Sequence, residues 1–167
     1  GGFLILENGG SLNGAEVTIE NGELQLGADF AMTAGSLQTD DGTTLRLAND
    51  LTLAGHEGFA FAGLQLDNHL LTLGSDNSSL TIGNAFEIDV NEGILTQGAD
   101  FSAQSTTTIT GGTLSSTGGT LQFDDTLTLQ SGTLDSTNST VVLNGNLVKI
   151  GGTWVSSGTT LSLDEND

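Results

Sequence analysis

The sequence predicts an all-β fold: a right-handed, single-stranded parallel β-helix, or β-solenoid, of roughly eight coils of about 20 residues each. Three observations predict it. Apolar residues recur about every 20 positions in three columns, residues around them alternate between apolar and polar, and turn-forming residues recur between the columns. Because the columns advance together, each coil should hold three short strands. Each strand should pair in parallel with its equivalent one coil away.

The three columns consist mostly of large apolar residues. The first column consists of Leu12, Met32, Leu53, Leu73, Ile94, Leu114, Leu134 and Trp154. The second consists of Ile19, Thr39, Phe61, Ile82, Ala103, Phe123, Leu143 and Leu163. The third consists of Leu6, Leu26, Leu47, Leu66, Ile88, Ile109 and Leu129. We infer the right-handed form from coil length, because left-handed solenoids use hexapeptide repeats and coils of about 18 residues.

Residues 111–130 and 131–150 are the clearest coils. Alternation with period two predicts an inward-facing set within them: Leu121, Phe123, Leu127, Leu129 and Leu134. It predicts an outward-facing set as well: Gln122, Thr128 and Asp135. The corners carry residue types that accept turn geometry, at Asn21-Gly22, Asp40-Asp41, Gly83-Asn84, Asp124-Asp125, Asn144-Gly145 and Asp164-Glu165. The corners should therefore be in register from coil to coil.

Composition indicates one domain, spanning residues 1–167, and limits its partners. The chain has 25 Gly and no Pro, which suits tight corners and uninterrupted ladders. Two Lys and Arg residues against 21 Asp and Glu give a formal net charge of -19, so we expect no nucleic-acid partner. We expect no membrane insertion, since no apolar run approaches about 18 residues. Cys is absent, which excludes disulfides and Cys-ligated metals.

Three short motifs carry a resemblance to a known group of proteins. Gly-Gly-Thr-Leu at 111–114, Leu-Thr-Leu at 127–129 and Ser-Gly-Thr-Leu at 131–134 resemble the coils of secreted bacterial β-helix adhesins. This group includes filamentous-haemagglutinin-like proteins and autotransporter passenger domains. The resemblance implies export to a bacterial surface and a stalk or adhesive role. It transfers no functional residue to this chain.

Paired carboxylates are the only motif that suggests catalysis. Asp40-Asp41 and Asp124-Asp125 would in principle suit glycoside hydrolysis. Neighbours at a turn usually diverge, however, and no long insertion is present to form a cleft. Lyase chemistry on acidic sugars would need cationic groups, and Arg46 and Lys149 lie far apart in the sequence. We therefore expect no enzyme, no catalytic residue and no cofactor.

Metal binding is weakly indicated at the corners. The candidates for calcium are Asp76, Asp124, Asp125 and Asp164. The Gly-Gly-x-Gly-x-Asp signature of calcium-binding β-rolls is absent, so diffuse condensation of cations is favoured over specific sites. His56 and His69, with Glu57 and Asp67, are a second metal candidate, and two solvated histidines are the favoured interpretation.

Single residues depart from the pattern or qualify it. Lys149 falls in the third column, so either the strand slips and places Val148 and Ile150 inside, or the lysine marks the end of the buried stack. We favour the slip. Trp154 should fill the core, and Arg46 should point outward to a carboxylate. A file of threonines, Thr52, Thr72, Thr113, Thr133 and Thr153, should form an outward ladder.

The expected function is structural: a non-catalytic, extracellular stalk, fibre or adhesin shaft of a bacterial surface protein. One alternative is a polysaccharide-binding or polysaccharide-hydrolysing domain. Another is binding to ice or a mineral surface, suggested by Thr106 and Thr108 beside Thr126 and Thr128. The expected partners are like solenoid segments stacked end to end, and a host surface or an extracellular polysaccharide. Neither end of the sequence shows the polar cap that a solitary solenoid needs, so we expect residues 1–167 to be a segment of a longer solenoid or a fibre subunit that stacks head to tail. Gly1 is not expected to be a native translation start.

Overall fold

The chain folds as a parallel β-solenoid. A computed structural model describes residues 2–6, 10–27, 30–39, 42–53, 58–74 and 79–163, and in these ranges the chain forms 22 strands and no helix. Every strand pair is parallel, as the sequence predicts. No segment in the described ranges is therefore a helix long and apolar enough to cross a bilayer.

The strands fall into the three predicted columns. The first column is one six-stranded sheet: β6 (Leu51–Leu53), β9 (Leu70–Leu73), β12 (Gly93–Gln97), β15 (Thr113–Thr117), β18 (Thr133–Thr137) and β21 (Thr153–Ser157). The second is another: β7 (Phe59–Phe61), β10 (Ser79–Ile82), β13 (Asp100–Ala103), β16 (Thr120–Phe123), β19 (Thr140–Leu143) and β22 (Thr160–Leu163).

The third column is divided into two four-stranded sheets. One contains β1 (Phe3–Leu6), β3 (Glu23–Leu26), β5 (Thr44–Leu47) and β8 (Gly63–Gln65). The other contains β11 (Phe86–Ile88), β14 (Thr107–Ile109), β17 (Leu127–Leu129) and β20 (Leu147–Lys149). No ladder joins β8 to β11 among these described strands.

The solenoid has about six turns, fewer than the eight expected. The difference lies at the N-terminal end, where the first and second strands of a coil are not separated. Instead β2 (Gly10–Ile19) and β4 (Phe30–Thr39) are continuous ten-residue strands that pair in a sheet of their own. Their ladder shifts register around Asn13, so the corner survives there only as an irregularity within one strand.

The core lies along the axis and is filled as the alternation predicts. Leu121, Phe123, Leu127, Leu129 and Leu134 are all buried. The predicted outward residues Gln122, Thr128 and Asp135 are half-buried on the outside of their strands. Burying each leucine contributes about 1.5–3 kcal/mol relative to leaving it exposed. Since each coil contacts only its neighbours, this stabilisation adds up along the rod.

The register between coils confirms the second column, confirms the third within each of its two sheets, and corrects the first. Phe123 pairs with Ala103 and Leu143 in the second column, and Leu129 pairs with Ile109 in the third. In the first column the predicted partnership of Leu73 with Ile94 is wrong. Ile94 lies beside Leu71, and Leu73 lies beside Thr96. Five residues separate β9 from β10, whereas two residues separate β12 from β13 in the next coil. A constant repeat length therefore does not predict the register here.

The same shift breaks the predicted file of threonines. Thr52 and Thr72 are neighbours, but Thr72 then lies beside Leu95. Thr113 lies beside Gly93, which is two residues before Leu95 on the same strand. The outward threonines therefore form two short files instead of one.

Lys149 does not cause a strand slip, so the favoured interpretation of this residue was wrong. Lys149 lies beside Leu129 in unbroken register. Val148 and Ile150, which a slip would bury, are 40% and 72% exposed. The Lys149 ammonium donates hydrogen bonds to the carbonyls of Gly151 at 2.7 Å and Gly152 at 2.8 Å. The register is kept at little cost because the Lys149 side chain points away from the core and its ammonium group bonds to these two carbonyls at the following turn.

Candidate functional site

The Asp124-Asp125 corner is the best candidate for carboxylate chemistry among the described residues. Asp124 Oδ1 accepts hydrogen bonds at 2.7 Å from the side-chain amides of both Gln122 and Asn144. Asp125 Oδ1 accepts the backbone N–H of Thr126 at 2.6 Å, and its Oδ2 accepts the Thr106 hydroxyl at 3.2 Å. Both carboxylates therefore join neighbouring residues and neighbouring coils.

The electrostatics of this corner suit structure better than acid catalysis. The hydrogen bond from the Thr126 backbone, followed by that from the Thr106 hydroxyl, lowers the pKa of Asp125 below its ordinary value of 3.8. A general acid needs a carboxyl that stays protonated near neutral pH, which requires a shift in the opposite direction. Asp125 is instead held as a carboxylate that ties the corner together.

Arg46 lies within β5 of the third column and points outward, as predicted. Its Nε lies 2.5 Å from Asp67 Oδ2, and a terminal guanidinium nitrogen lies 3.6 Å from Glu23. The hydrogen bond that Arg46 donates to the Asp67 carboxylate is the main cause that raises the pKa of Arg46. Since Asp67 is engaged by Arg46, this carboxylate is not directed toward His69 as a shared metal ligand.

His69 and its neighbours form a second acidic corner. His69 Nδ1 lies 3.7 Å from Asp50 Oδ1, and the same carboxylate accepts the backbone N–H of Leu70 at 2.9 Å. One coil further on, Glu92 accepts the backbone N–H groups of Asn68 and Asp89 at 3.1 and 2.9 Å. These carboxylates satisfy turn donors that strand ladders leave unpaired.

Asp50 and Glu92 are not among the candidate residues that the sequence pattern indicates. For Glu92 a local signal exists, because Glu92 lies three residues after Asp89 and at this spacing a carboxylate can accept a hydrogen bond from the backbone N–H of a turn. For Asp50 no local signal exists, because its partner Leu70 is 20 residues away.

The metal candidates do not converge. Asp76, Asp164, Asp40-Asp41, His56 and Glu57 lie outside the described residues. Within the described ranges no three His, Asp or Glu side chains are placed to share a metal ion. Asp124 and Asp125 turn toward different partners, as described above, so the corner does not present their oxygens at one point.

The lateral surface has open depressions in the part described. One lies over the second column and is lined largely by outward hydroxyl, amide and carboxylate groups: Ser79, Thr81, Asp100, Ser102, Thr120 and Gln122. Asp100 is already used, since it accepts the backbone N–H of Thr120 at 2.8 Å. Another depression is lined by small and uncharged residues that include Ala60, Ala62 and Gly83.

The small threonine patch on the third column is present as predicted. Thr108 lies beside Thr128 on adjacent strands. The patch ends on one side at Glu87, which lies beside Thr108, and on the other at Val148, which lies beside Thr128. Two coils of threonine therefore lie between residues that do not continue the pattern.

The last described coil leaves its apolar residues uncovered. Among the described strands, β20, β21 and β22 each pair with one neighbour only. Leu161 and Leu163 occupy inward positions beside Val141 and Leu143, yet they are 48% and 61% exposed. Trp154 lies beside Leu134 as predicted and is only partly buried against the core. Among the described residues, no further coil covers these inward side chains.

Compared with known proteins, the chain matches no protein-family model, no curated protein and no solved structure. The parallel β-solenoid fold therefore rests on the strand pairings and the repeat described above, and the function must be argued from the surface and the ends of the rod.

Proposed function

We propose that this chain is a structural, non-catalytic segment of an extracellular bacterial surface protein, acting as the shaft of a stalk, fibre or adhesin. The observation that supports it most directly is the use of the corner carboxylates. Asp124, Asp125 and Glu92 each tie neighbouring turns together by hydrogen bonds and leave no convergent reactive group. The resemblance of residues 111–134 to secreted adhesin coils supports the same role.

The second part of the proposal is that like solenoid segments stack end to end on the last described coil. Leu161, Leu163 and Trp154 face the axis but are not covered, and β20 to β22 have unpaired ladder groups on their outer side. A further coil of the same kind would bury this surface and satisfy these groups. The segment could belong to the same protein or to a second copy.

Analytical ultracentrifugation across a wide concentration range tests the stacking. We expect residues 1–167 to associate as concentration rises and Leu163→Asp to weaken association at least tenfold, since a charge at the junction would be buried without a partner. Ser162→Asp is the matched control, because Ser162 lies beside the outward Val142 on the same strand. A monomer at every concentration, with the last coil ordered, would contradict end-to-end stacking.

The surface location and the absence of catalysis need separate tests. Antibodies against the rod should label intact cells of the source bacterium, and exclusively intracellular labelling would contradict the location. We expect no turnover on acidic or neutral glycans. Activity abolished by Asp124→Asn or Asp125→Asn would overturn the non-catalytic proposal.

Polysaccharide binding is the second candidate, and the polar depression over the second column favours it. Ser102, Thr81 and Gln122 present donors and acceptors along adjacent strands, which is the chemistry that hydrogen-bonds sugar hydroxyls. Titration with soluble neutral oligosaccharides, followed by NMR, should then shift the signals of these residues and leave those of Thr108 and Thr128 unchanged. No shift at millimolar sugar would eliminate this candidate.

A further inference from the structure

The third column is interrupted at one level while the other two columns continue. In the second column β10 pairs with both β7 and β13, and in the first column β12 pairs with β9. At the same level the described strands β8 and β11 belong to different sheets. The interruption is therefore on one face of the rod only.

Side-chain exposure marks the same place independently. Leu64 and Phe86 are the inward residues on either side of the interruption, and they are 8% and 7% exposed. Leu45, which lies beside Leu64 across the β5–β8 ladder, is 0% exposed, and so is Ile88, the next inward residue after Phe86 on β11. The slight exposure at this level is therefore limited to Leu64 and Phe86.

Aromatic packing explains why the strands separate here. The Phe86 ring packs edge-on against Phe101, with centroids 6.0 Å apart. Phe101 belongs to β13, one coil further along the rod than β10. Phe86 therefore packs against the next coil along the rod, and its backbone N–H donates to the Thr106 carbonyl of that coil at 3.2 Å.

Alternation along the strands identifies the backbone groups that face the interruption. Because the Phe86 N–H points to the upper coil, the N–H and C=O of Glu87 point to the lower one. Because the Gly63 N–H donates downward to Thr43, the backbone groups of Leu64 point upward, and so does the N–H of Leu66. In a continuous ladder these groups would bond to one another.

We propose that the interruption between β8 and β11 is a hinge in the rod. The two half-solenoids bend apart by widening the third column at this level, while the ladders of the first and second columns remain intact. The cost is low because opening breaks no ladder hydrogen bond between β8 and β11, while the hydrogen bond from the Asn84 N–H to the Ala62 carbonyl at 2.6 Å, just before these strands, keeps the coils joined on the second-column side. This goes beyond the proposed shaft role, because it concerns how the rod bends and does not depend on what the rod binds.

Hydrogen exchange measured by NMR tests the hinge on the unmodified chain. The amides of Leu66 and Glu87 should exchange at least about tenfold faster than those of Ile88 and Thr108. Ile88 and Thr108 occupy the corresponding positions one coil further along the rod, on the paired strands β11 and β14. The amide of Thr81, in the β7–β10 ladder, should stay protected. Equal protection of the two sets of amides would overturn the proposal. Fast exchange at Thr81 would also overturn it, because the whole coil would then be opening.

Spin labels test the bending directly, and the absence of native Cys makes the labelling specific. Nitroxides on Gln65→Cys and Glu87→Cys should give a broader and longer distance distribution than nitroxides on Thr108→Cys and Thr128→Cys. The second pair occupies outward positions of strands joined by a ladder. Distributions of the same width and mean for the two pairs would show that the third column is not a hinge.

Discussion

Inside the solenoid, the hydroxyl of Ser139 donates a hydrogen bond to the hydroxyl of Ser116, 23 residues earlier, at 3.0 Å. The relationship repeats one coil later, where the hydroxyls of Ser136 and Thr159 lie 3.1 Å apart. One coil earlier, the residue 23 positions after Thr96 is Gly119, which has no side chain that could bond to the Thr96 hydroxyl. Thr96 Oγ1 is buried and has no hydrogen-bond partner. A Cβ at position 119 would overlap the carbonyl oxygen of Ala99, so glycine is required there.

Thr96→Val should therefore leave the free energy of unfolding unchanged or raise it by about 1 kcal/mol, since it removes a buried hydroxyl that bonds to nothing. Ser136→Ala is the opposite case. The Ser136 hydroxyl also accepts the indole N–H of Trp154 at 3.0 Å, so its loss should lower stability by about 1 kcal/mol. Urea denaturation of both variants measures the difference. A clear loss of stability in Thr96→Val would show that its hydroxyl has a partner.

Phe123→Asp should lower the free energy of unfolding by about 3–5 kcal/mol, because it places an unpaired charge in a narrow core. Phe123 is fully buried and packs near Phe101, with ring centroids 6.3 Å apart. Thr128→Asp introduces the same charge on the outside of a neighbouring strand and should change stability by less than about 1 kcal/mol. Thermal unfolding followed by circular dichroism compares them. Equal effects would contradict the assigned orientations.

The Asp125 carboxylate should make the free energy of unfolding depend on pH in the acidic range. Its pKa is lower in the folded chain than its ordinary value of 3.8, so the folded state binds protons less readily than the unfolded one. The stabilisation from this carboxylate is therefore present above about pH 4 and disappears as pH falls through the folded-state pKa. Asp125→Asn should flatten the loss of stability below pH 4. An NMR titration of the Asp125 carboxyl at or above its ordinary pKa would contradict this.

Salt should stabilise the rod. With a net charge of -19, screening reduces self-repulsion in the compact state. We expect the melting temperature to rise with sodium chloride, and to rise equally with calcium and magnesium at the same concentration. Calorimetry with both divalent ions measures this. A response to calcium that exceeds the response to magnesium, and that Asp124→Asn removes, would indicate a specific site in place of diffuse screening.

The sequence by itself determined the fold class, the three columns and the orientation of most side chains. Residues such as Leu114, Leu134 and Trp154 recur at a fixed spacing, and alternation along a strand is local, so Leu121, Gln122 and Phe123 could be assigned to the inside or the outside without the structure. The outward position of Arg46 followed from the same alternation.

Only the tertiary structure decided how the coils align with one another. Connections of different length place Thr96, and not Ile94, beside Leu73. The direction of the Lys149 side chain depends on the carbonyls of Gly151 and Gly152, which only the folded turn brings within reach. The bond between Ser116 and Ser139 and the separation of Leu64 from Phe86 likewise depend on neighbouring coils. A local pattern fixes which face a residue occupies, but its partners one coil away are set by turn length and by packing across the core.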